Sequence, residues 1–530
     1  MTSSINYLAE IEQLRAQLAE KEAQLQSQSE RLQSQSERLQ SQSARIDVLE
    51  EVVRHLKIKR FMPSSEKTNA DQFLLFDEAE LCTDPQVEQH EKDNQDQNKS
   101  NASTRKPRGR KPLSSDLPRE PIFLYLTDEQ KVGAKSTFFA KVKEELDIVP
   151  AKVRVLEYMQ EKAVFNNEDG QSIVAAELPK HPLPGSLGST GLITHAITSK
   201  YVDGLPLYRI ETMLRRYGGE LSRATLANYV MKSAKVFQPL VNLLREHQNS
   251  GDIVAMDETR IQVLKEPGKS ATSDKYMWVS LGGSPSQQSV LFHYDPSRSG
   301  DVPVELLEGF EGYLQTDGYA GYHAACKKYG LTHVGCMDHA RRMFVDAQKA
   351  QPKGKNTKVS KADIALNTIN KLYRVERQLA DLKEKQPKIT AEDIITYRQE
   401  HSVPLLNELK AFLEKNISKC PKDSLTYKAI NYTLNQWSKL VVYAGHHELR
   451  ISNIMAENAI RPFVVGRKAW LFADTSQGAK ASAVCYSLVE TAKLNGLEPY
   501  RYLHTLLTQL PYAETLEQIE ALLPWNLAKD

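Results

Sequence analysis

Cysteine is scarce in this chain: there are five in 530 residues (Cys82, Cys326, Cys336, Cys420 and Cys485), and no two stand in a CxxC spacing. An odd number without paired spacing argues against a disulfide framework or a cysteine-rich zinc module and fits a reducing compartment. Long apolar runs are also missing. No stretch reaches the ~18 uninterrupted apolar residues that suggest a membrane span. The opening MTSSINYLAEIEQL has no basic region followed by an apolar core, so no secretory signal is expected. Excess charge is the third absence, because 69 basic and 67 acidic residues leave a net charge of +2. Any nucleic-acid surface must therefore come from clustering of charge. What remains is the composition expected of a cytoplasmic multidomain protein, 40% hydrophobic and 26% charged. At roughly 100–200 residues per domain, the length suggests about three to five units.

The N-terminal 60 residues repeat a heptad almost literally: LQSQSER at 25–31 and 32–38, then LQSQSAR at 39–45. Ile11, Leu18, Leu25, Leu32, Leu39, Ile46 and Val53 hold a strict period of seven, which predicts a left-handed coiled coil and with it a dimer at least. The matching d positions are Leu14, Lys21, Gln28, Gln35, Gln42, Leu49 and Leu56, so this zipper should be firm only near its ends. A solvated helix built by repeat expansion is the alternative. From about Cys82 to Pro118 the chain is polar, poor in aromatics and expected to be disordered. Its basic cluster Pro107–Pro112 has the form of a minor-groove hook, with Arg108 and Arg110 flanking Gly109. A solvated basic linker fits the same residues. Residues 121–180 mix short strand-like and helical patterns and suggest no function. LPLYRIETMLRRYG, a Gly218-Gly219 break and LSRATLANYVMKSAKVF, with Ser222 as N-cap, have helix-turn-helix spacing. That arrangement turns Arg223, Asn228 and Lys232 outward, although packed helical hairpins are common without DNA.

After residue 250 the period becomes that of strands. DIVAMDETRIQVL, KYMWVSLGG and SVLFHYD are followed by a short helix, VPVELLEGF, and a fourth strand, GYLQTD. An antiparallel trio with a helical crossover predicts an α/β sheet in which strands one and four are parallel. Asp257 on the first strand and Asp317 at the end of the fourth would then emerge at one edge. Two converging carboxylates favour a hard cation, Mg²⁺ or Mn²⁺, and a third acid would complete a two-ion phosphoryl-transfer site. The candidate is Glu457 in AENAIRPFVVGRKAWLF, a helix that also carries Arg461, Arg467 and Lys468. A surface i,i+4 ion pair between Glu457 and Arg461 is the ordinary alternative. Glu258 is the runner-up for the first carboxylate. Cys336, Asp338 and His339 in GCMDHARR could form a small metal cluster, or simply a strand end packing into a helix.

The order Asp257, Asp317, Glu457 resembles the DDE triad of ribonuclease-H-like transposases. YVDGLPLYRIETMLRRYG, LSRATLANYV, MDET, LQTDGYAGY, HVGCMDHARRMFVDA, AENAIRPFVVGRKAWLFA and YSLVETAKLNGLEPYRYL resemble, in order, the blocks of the insertion-sequence-66 family of bacterial transposases. SSEK at Ser64–Lys67 and LPRE at Leu117–Glu120 fit it too. Two departures stand out. The paired cysteines that the family usually carries before the helical region are absent, so no structural zinc is expected there. Asp338 stands where the family more often has a small residue.

The resemblance implies a multidomain α/β protein: a ribonuclease-H-like catalytic domain with an all-α insertion, preceded by an N-terminal coiled coil and a helical DNA-binding region. The expected boundaries are a coiled coil at 1–60, a linker with the hook at 61–120 and, at 121–185, a small module in place of the zinc-binding domain. The helix-turn-helix-like region follows at 186–250, the first part of the catalytic core at 251–350 and the helical insertion at 351–450. The helix bearing the third acid occupies 451–480, and a helical cap 481–530. The implied activity is cutting of element ends and joining of 3′-hydroxyls to target DNA, with Asp257, Asp317 and Glu457 holding two Mg²⁺ or Mn²⁺ ions. Arg341, Arg342, Arg461, Arg467 and Lys468 would position phosphates. Expected partners are DNA, further copies of the chain and small accessory proteins from the same element, with no membrane, in a bacterial cytoplasm close to the nucleoid. A catalytically silent DNA-binding derivative is the alternative, and a nuclease without strand transfer a third reading.

Overall fold

The computed structural model describes residues 2–61, 119–132, 136, 138–141, 145, 152–167, 170–351, 359–386 and 388–528. Arg108, Arg110 and the rest of the expected linker from 62 to 118 lie outside the described residues. The chain divides into two compact units, residues 63–152 on the one hand and 1–62 with 153–530 on the other. In the smaller unit the rings of Phe123 and Tyr125 both stand edge-on to Phe139, at centroid distances of 5.0 and 5.5 Å.

In the larger unit, α1 (Thr2–Phe61) is one continuous helix. The heptad residues Leu18, Leu25, Leu32 and Leu39 are 62–66% exposed, and Ile46 and Val53 are about half exposed. A different stripe of the same helix is covered. Val48 and His55 are buried, Arg54 Nε donates to the Ala350 carbonyl at 2.9 Å, and Glu51 accepts the Leu425 N–H at 3.1 Å. A hairpin, β1 (Lys162–Asn167) with β2 (Gly170–Ala175), precedes the helices α2 (Thr190–Tyr201), α3 (Leu207–Arg216) and α4 (Arg223–Asn249). Ser222 caps α4 by accepting the Thr225 N–H at 3.2 Å. Leu226, Tyr229, Val230, Phe237 and Leu244 bury one side of α4, while Arg223, Asn228 and Lys232 are exposed on it.

The central sheet consists of β3 (Ile253–Lys265), β4 (Lys275–Gly282), β5 (Ser289–Asp295), β6 (Tyr313–Gln315) and β7 (Thr332–Val334), in the order β5-β4-β3-β6-β7. The first three are antiparallel. The crossover through α5 (Asp301–Leu306) brings β6 parallel to β3, as the strand pattern predicted. Helix α6 (Tyr322–Tyr329) leads to β7, parallel to β6, and α7 (Met337–Lys349) follows. The insertion is helical: α8 (Lys361–Lys385), α9 (Ala391–Ile417) and α10 (Leu425–Asn435) share a core with α7 built from Phe344, Leu366, Ile369, Leu409 and Ile430. The chain returns to the sheet in α11 (Ile454–Trp470) and β8 (Phe472–Thr475), which pairs parallel with the far end of β3.

Leu471, between α11 and β8, has φ +67°. A positive φ is uncommon for a branched side chain, and here it turns the chain from the helix directly into the strand. Helix α12 (Ser476–Leu494) is buried along most of its length and satisfies the free edge of β5. Ser487 Oγ accepts the Phe292 N–H at 2.8 Å, and Thr491 Oγ1 both accepts the Val290 N–H and donates to the Val290 carbonyl. Without these hydroxyls a buried edge strand would carry unpaired backbone groups. Helices α13 (Pro499–Gln509) and α14 (Leu516–Glu520) complete the C-terminus. Among the described residues no helix is long and apolar enough to cross a membrane.

Candidate active site

Asp257 stands in the middle of β3, immediately after the buried run Val254, Ala255 and Met256. Gln315, the last residue of β6, is level with Ala255 in parallel register. Two residues further along each chain lie Asp257 and Asp317, so the sheet brings the first two predicted carboxylates side by side. Glu457 reaches the same place from the first turn of α11. That helix is fastened to β3 by Asn453, whose Nδ2 donates to the Met256 carbonyl at 2.8 Å, one residue before Asp257. The three acids lie far apart in sequence and share one electrostatic neighbourhood. Burial first, then the charges of Glu258, Glu457 and Asp317, push the Asp257 carboxyl up to about 7, against a single opposing backbone N–H from Glu258. Burial also raises Glu457, while His339 and Arg342 pull it down.

The alternative reading, an i,i+4 ion pair of Glu457 with Arg461, is not the local arrangement. Its ion partners come from α7: His339 Nδ1 at 3.7 Å and Arg342 Nη2 at 3.8 Å, with Arg461 acting at longer range. The runner-up Glu258 points elsewhere. Its side chain is 3% exposed and both oxygens are occupied, one by Arg298, whose Nε lies at 2.8 Å, and the other by the Tyr322 hydroxyl. A carboxylate held by a guanidinium and a phenol has little left to offer a cation. Glu258 therefore supports the site from the opposite face of β3. Arg298 also stacks on Tyr319, with its Cζ 3.9 Å from the ring centroid, and the Tyr319 N–H donates to Asp317 Oδ1 at 2.9 Å. Gly318 is pressed against the insertion, because a Cβ there would lie 2.7 Å from the Tyr432 hydroxyl oxygen. Arg298, Tyr319, Tyr322, Tyr432 and Asn453 were not singled out by sequence. Only the two tyrosines of DGYAGY carried any local signal.

The predicted cluster of Cys336, Asp338 and His339 is altered. Asp338 accepts a hydrogen bond from Tyr373 of α8 and is drawn away, whereas Cys336, His339 and Glu457 have ligand atoms all within 4.8 Å of one another. Among the described residues this is the one group of three His, Cys, Asp or Glu side chains so close. Asp257, Asp317 and Glu457 are spread more widely. The donor set is hard oxygen throughout, and Glu457 Oε1 is buried without a hydrogen-bond partner, so the residues fit Mg²⁺ or Mn²⁺.

Further along β3 lies a cleft of about 460 Å³ lined by Arg260, Gln262, Asp274, Arg467, Lys468 and Leu471, in which Arg260 pairs with Asp274 at 3.3 Å. Arg467 Nη1 donates to Thr259 Oγ1 at 3.2 Å, and Thr259 shares a strand face with Asp257. Arg467 and Lys468 are thus brought to the site's side, and Arg342 directly to Glu457. Arg341 instead bonds Asn370 of α8 at 3.2 Å.

The sheet and α11 thus gather three half-buried acids near a cleft that carries Arg467 and Lys468. Comparison with known proteins gives the family. Residues 185–481 match the family model described as Transposase IS66 family, 487–525 match IS66 C-terminal element, and 48–122 match Transposase C of IS166 homeodomain. The chain belongs to the IS66 family of transposases. Two relatives, both from Sinorhizobium fredii (strain NBRC 101917 / NGR234), are the uncharacterized proteins y4qI and y4jD. The first is 31% identical over 80% of this chain and 79% of its own length, the second 30% identical over 75% and 77%.

Proposed function

We propose that this transposase cuts the ends of its mobile element and joins the liberated 3′-hydroxyls to target DNA, at a ribonuclease-H-like centre formed by Asp257, Asp317 and Glu457. The observation that carries the reading is the convergence of those carboxylates on β3, β6 and α11, with Asp257 held near pH 7 by burial and by its acidic neighbours. The strand order β5-β4-β3-β6-β7, with the antiparallel trio first, supports the ribonuclease-H-like core. Bound Mg²⁺ or Mn²⁺ would activate the attacking oxygen and stabilise the departing 3′ oxygen.

The protein's own residues perform the positioning. Asn453 fixes the start of α11 against β3, so that Glu457 faces Asp257. Tyr319 orients Asp317 through its N–H, and Arg298 braces Tyr319 from behind. Arg342 lies beside Glu457, where a guanidinium can grip a nonbridging phosphate oxygen in two places. Arg467, bonded to Thr259 on the Asp257 face of β3, and Lys468 next to it would extend the phosphate contacts away from the carboxylates, along the path of a phosphodiester backbone. Arg461, Arg341, Arg223 and Lys232, with Arg108 and Arg110 of the hook, are further phosphate contacts in this reading. The uncovered heptad stripe of α1 would pair two or more copies, as an assembly acting on two element ends requires.

Substituting Asp257→Asn tests the assignment. Cleavage of an element-end substrate should fall by at least about 10³-fold, the several kcal/mol that metal-borne charge stabilisation supplies. Gel-shift affinity for the same DNA should stay within about twofold, because phosphate contacts elsewhere dominate binding. Undiminished cutting would remove Asp257 from the centre.

A further inference from the structure

Two ligating side chains beside Glu457, Cys336 and His339, are left unused by this chemistry. We propose that Cys336, His339 and Glu457 form a second cation site, selective for a zinc-class ion, which shares Glu457 with the catalytic centre and switches that centre off when filled. The inhibitory half rests on the function proposed above, and the binding half stands without it.

The geometry is that of a partly assembled tetrahedral site. At ligand distances of ~2.0–2.3 Å a tetrahedral ion sets its ligands about 3.3–3.8 Å apart. His339 Nδ1 and Glu457 Oε1 are already 3.7 Å apart, and Cys336 Sγ completes a triangle with no side above 4.8 Å. Cys336 is the extended N-cap of α7 and His339 lies in the helix's first turn, two residues intervening, while Glu457 approaches from α11. Two further observations bear on cation binding. His339 Nδ1 and Glu457 Oε1 are both buried and neither has a hydrogen-bond partner. The buried Cys336 sulfur accepts the Asn453 N–H at 3.2 Å, which holds it at the start of α7 beside the other two ligands, and burial, with the Asp338 and Glu457 charges, pushes its thiol up to about 12, so a cation must displace that proton to bind.

A sulfur, an imidazole and a carboxylate select zinc-class ions over Mg²⁺, which favours oxygen donors alone. Three protein ligands leave the fourth position to water or to a phosphate oxygen. On binding, the Cys336 thiol gives its proton to solvent and the sulfur takes the cation in its place. Glu457 Oε1 is then committed to the soft ion, and the catalytic centre loses its third carboxylate.

Co²⁺ is the spectroscopic probe, added to the full-length protein without DNA. One equivalent should produce sulfur-to-cobalt charge-transfer absorption that persists in Asp257→Asn. The absorption should disappear in Cys336→Ser, and in the half-buried His339→Gln the affinity should fall by about tenfold or more. Absence of that absorption in the unmodified protein at millimolar Co²⁺ overturns the proposal, as does its survival in Cys336→Ser. Because no DNA is cut, this result is independent of the catalytic assignment. Zn²⁺ titrated into Mg²⁺-supported cleavage then tests the shared ligand: inhibition should need about tenfold more Zn²⁺ in His339→Gln than in the unmodified protein. Equal inhibition of the two would place the inhibitory ion elsewhere.

Discussion

At the scale of single residues, Asp257 is the most informative group. Its carboxyl titrates near 7 in the fold instead of near 3.8, so between those values the folded state holds more protons than the unfolded one. Stability contributed by this residue therefore falls as pH rises from about 4 to about 7. Asp257→Asn removes the buried charge. In the absence of metal it should raise the melting temperature at about pH 8, by an amount equivalent to roughly 2–4 kcal/mol, and change little at about pH 4. A thermal scan showing the variant less stable at the higher pH would contradict the account of its burial. Mg²⁺ should stabilise the unmodified protein, and more at pH 8 than at pH 5.5, because the ion competes with the proton on Asp257. Glu258, one residue away, behaves differently. Removing its partner with Arg298→Ala leaves a buried carboxylate with only Tyr322, and urea titration should show a loss of roughly 1–3 kcal/mol.

Among the elements, α11 has the tightest constraint, because its first turn must stay on β3 for Glu457 to count. Asn453→Ala deletes the 2.8 Å bond to the Met256 carbonyl. The expected cost is about 1–2 kcal/mol of stability with a disproportionate fall in cleavage, seen as reduced kcat with little change in DNA affinity. The strands and the first two acids were legible in sequence, since apolar alternation leads into Asp257 and into Asp317, and the crossover length dictates a parallel return. Glu457 was only a weak candidate from the basic residues on its own helix, and the family resemblance strengthened it. Its spacing pointed to Arg461, and what positions it instead is Asn453 bonded to β3, with His339 and Arg342 from α7, contacts no local pattern encodes. Glu258 and Asp257 were nearly equivalent on paper for the same reason, and Arg298 and Tyr322 separate them in space. The heptad of α1 was plain in the sequence. The docking of its other side, through Val48, Glu51, Arg54 and His55, was not. Replacing Leu25, Leu32 and Leu39 by Ser together should lower the sedimentation-derived mass toward a single chain while leaving the sheet intact; an unchanged mass would assign assembly to another surface.

For the whole molecule, the helical insertion interrupts the central sheet in sequence and closes on it in space. Tyr432 meets Gly318 beside Asp317, and α7 belongs to the insertion's core while carrying His339 and Arg342 to Glu457. Gly318→Ala should therefore push the insertion off the site and reduce cleavage by more than it reduces stability, a difference that kinetics and melting of one variant measure together. The most direct measurement is the anomalous signal of Mn²⁺ in crystals of this chain. The account predicts a peak coordinated by at least two of Asp257, Asp317 and Glu457, whereas saturating Mn²⁺ that leaves those three carboxylates unliganded would contradict it.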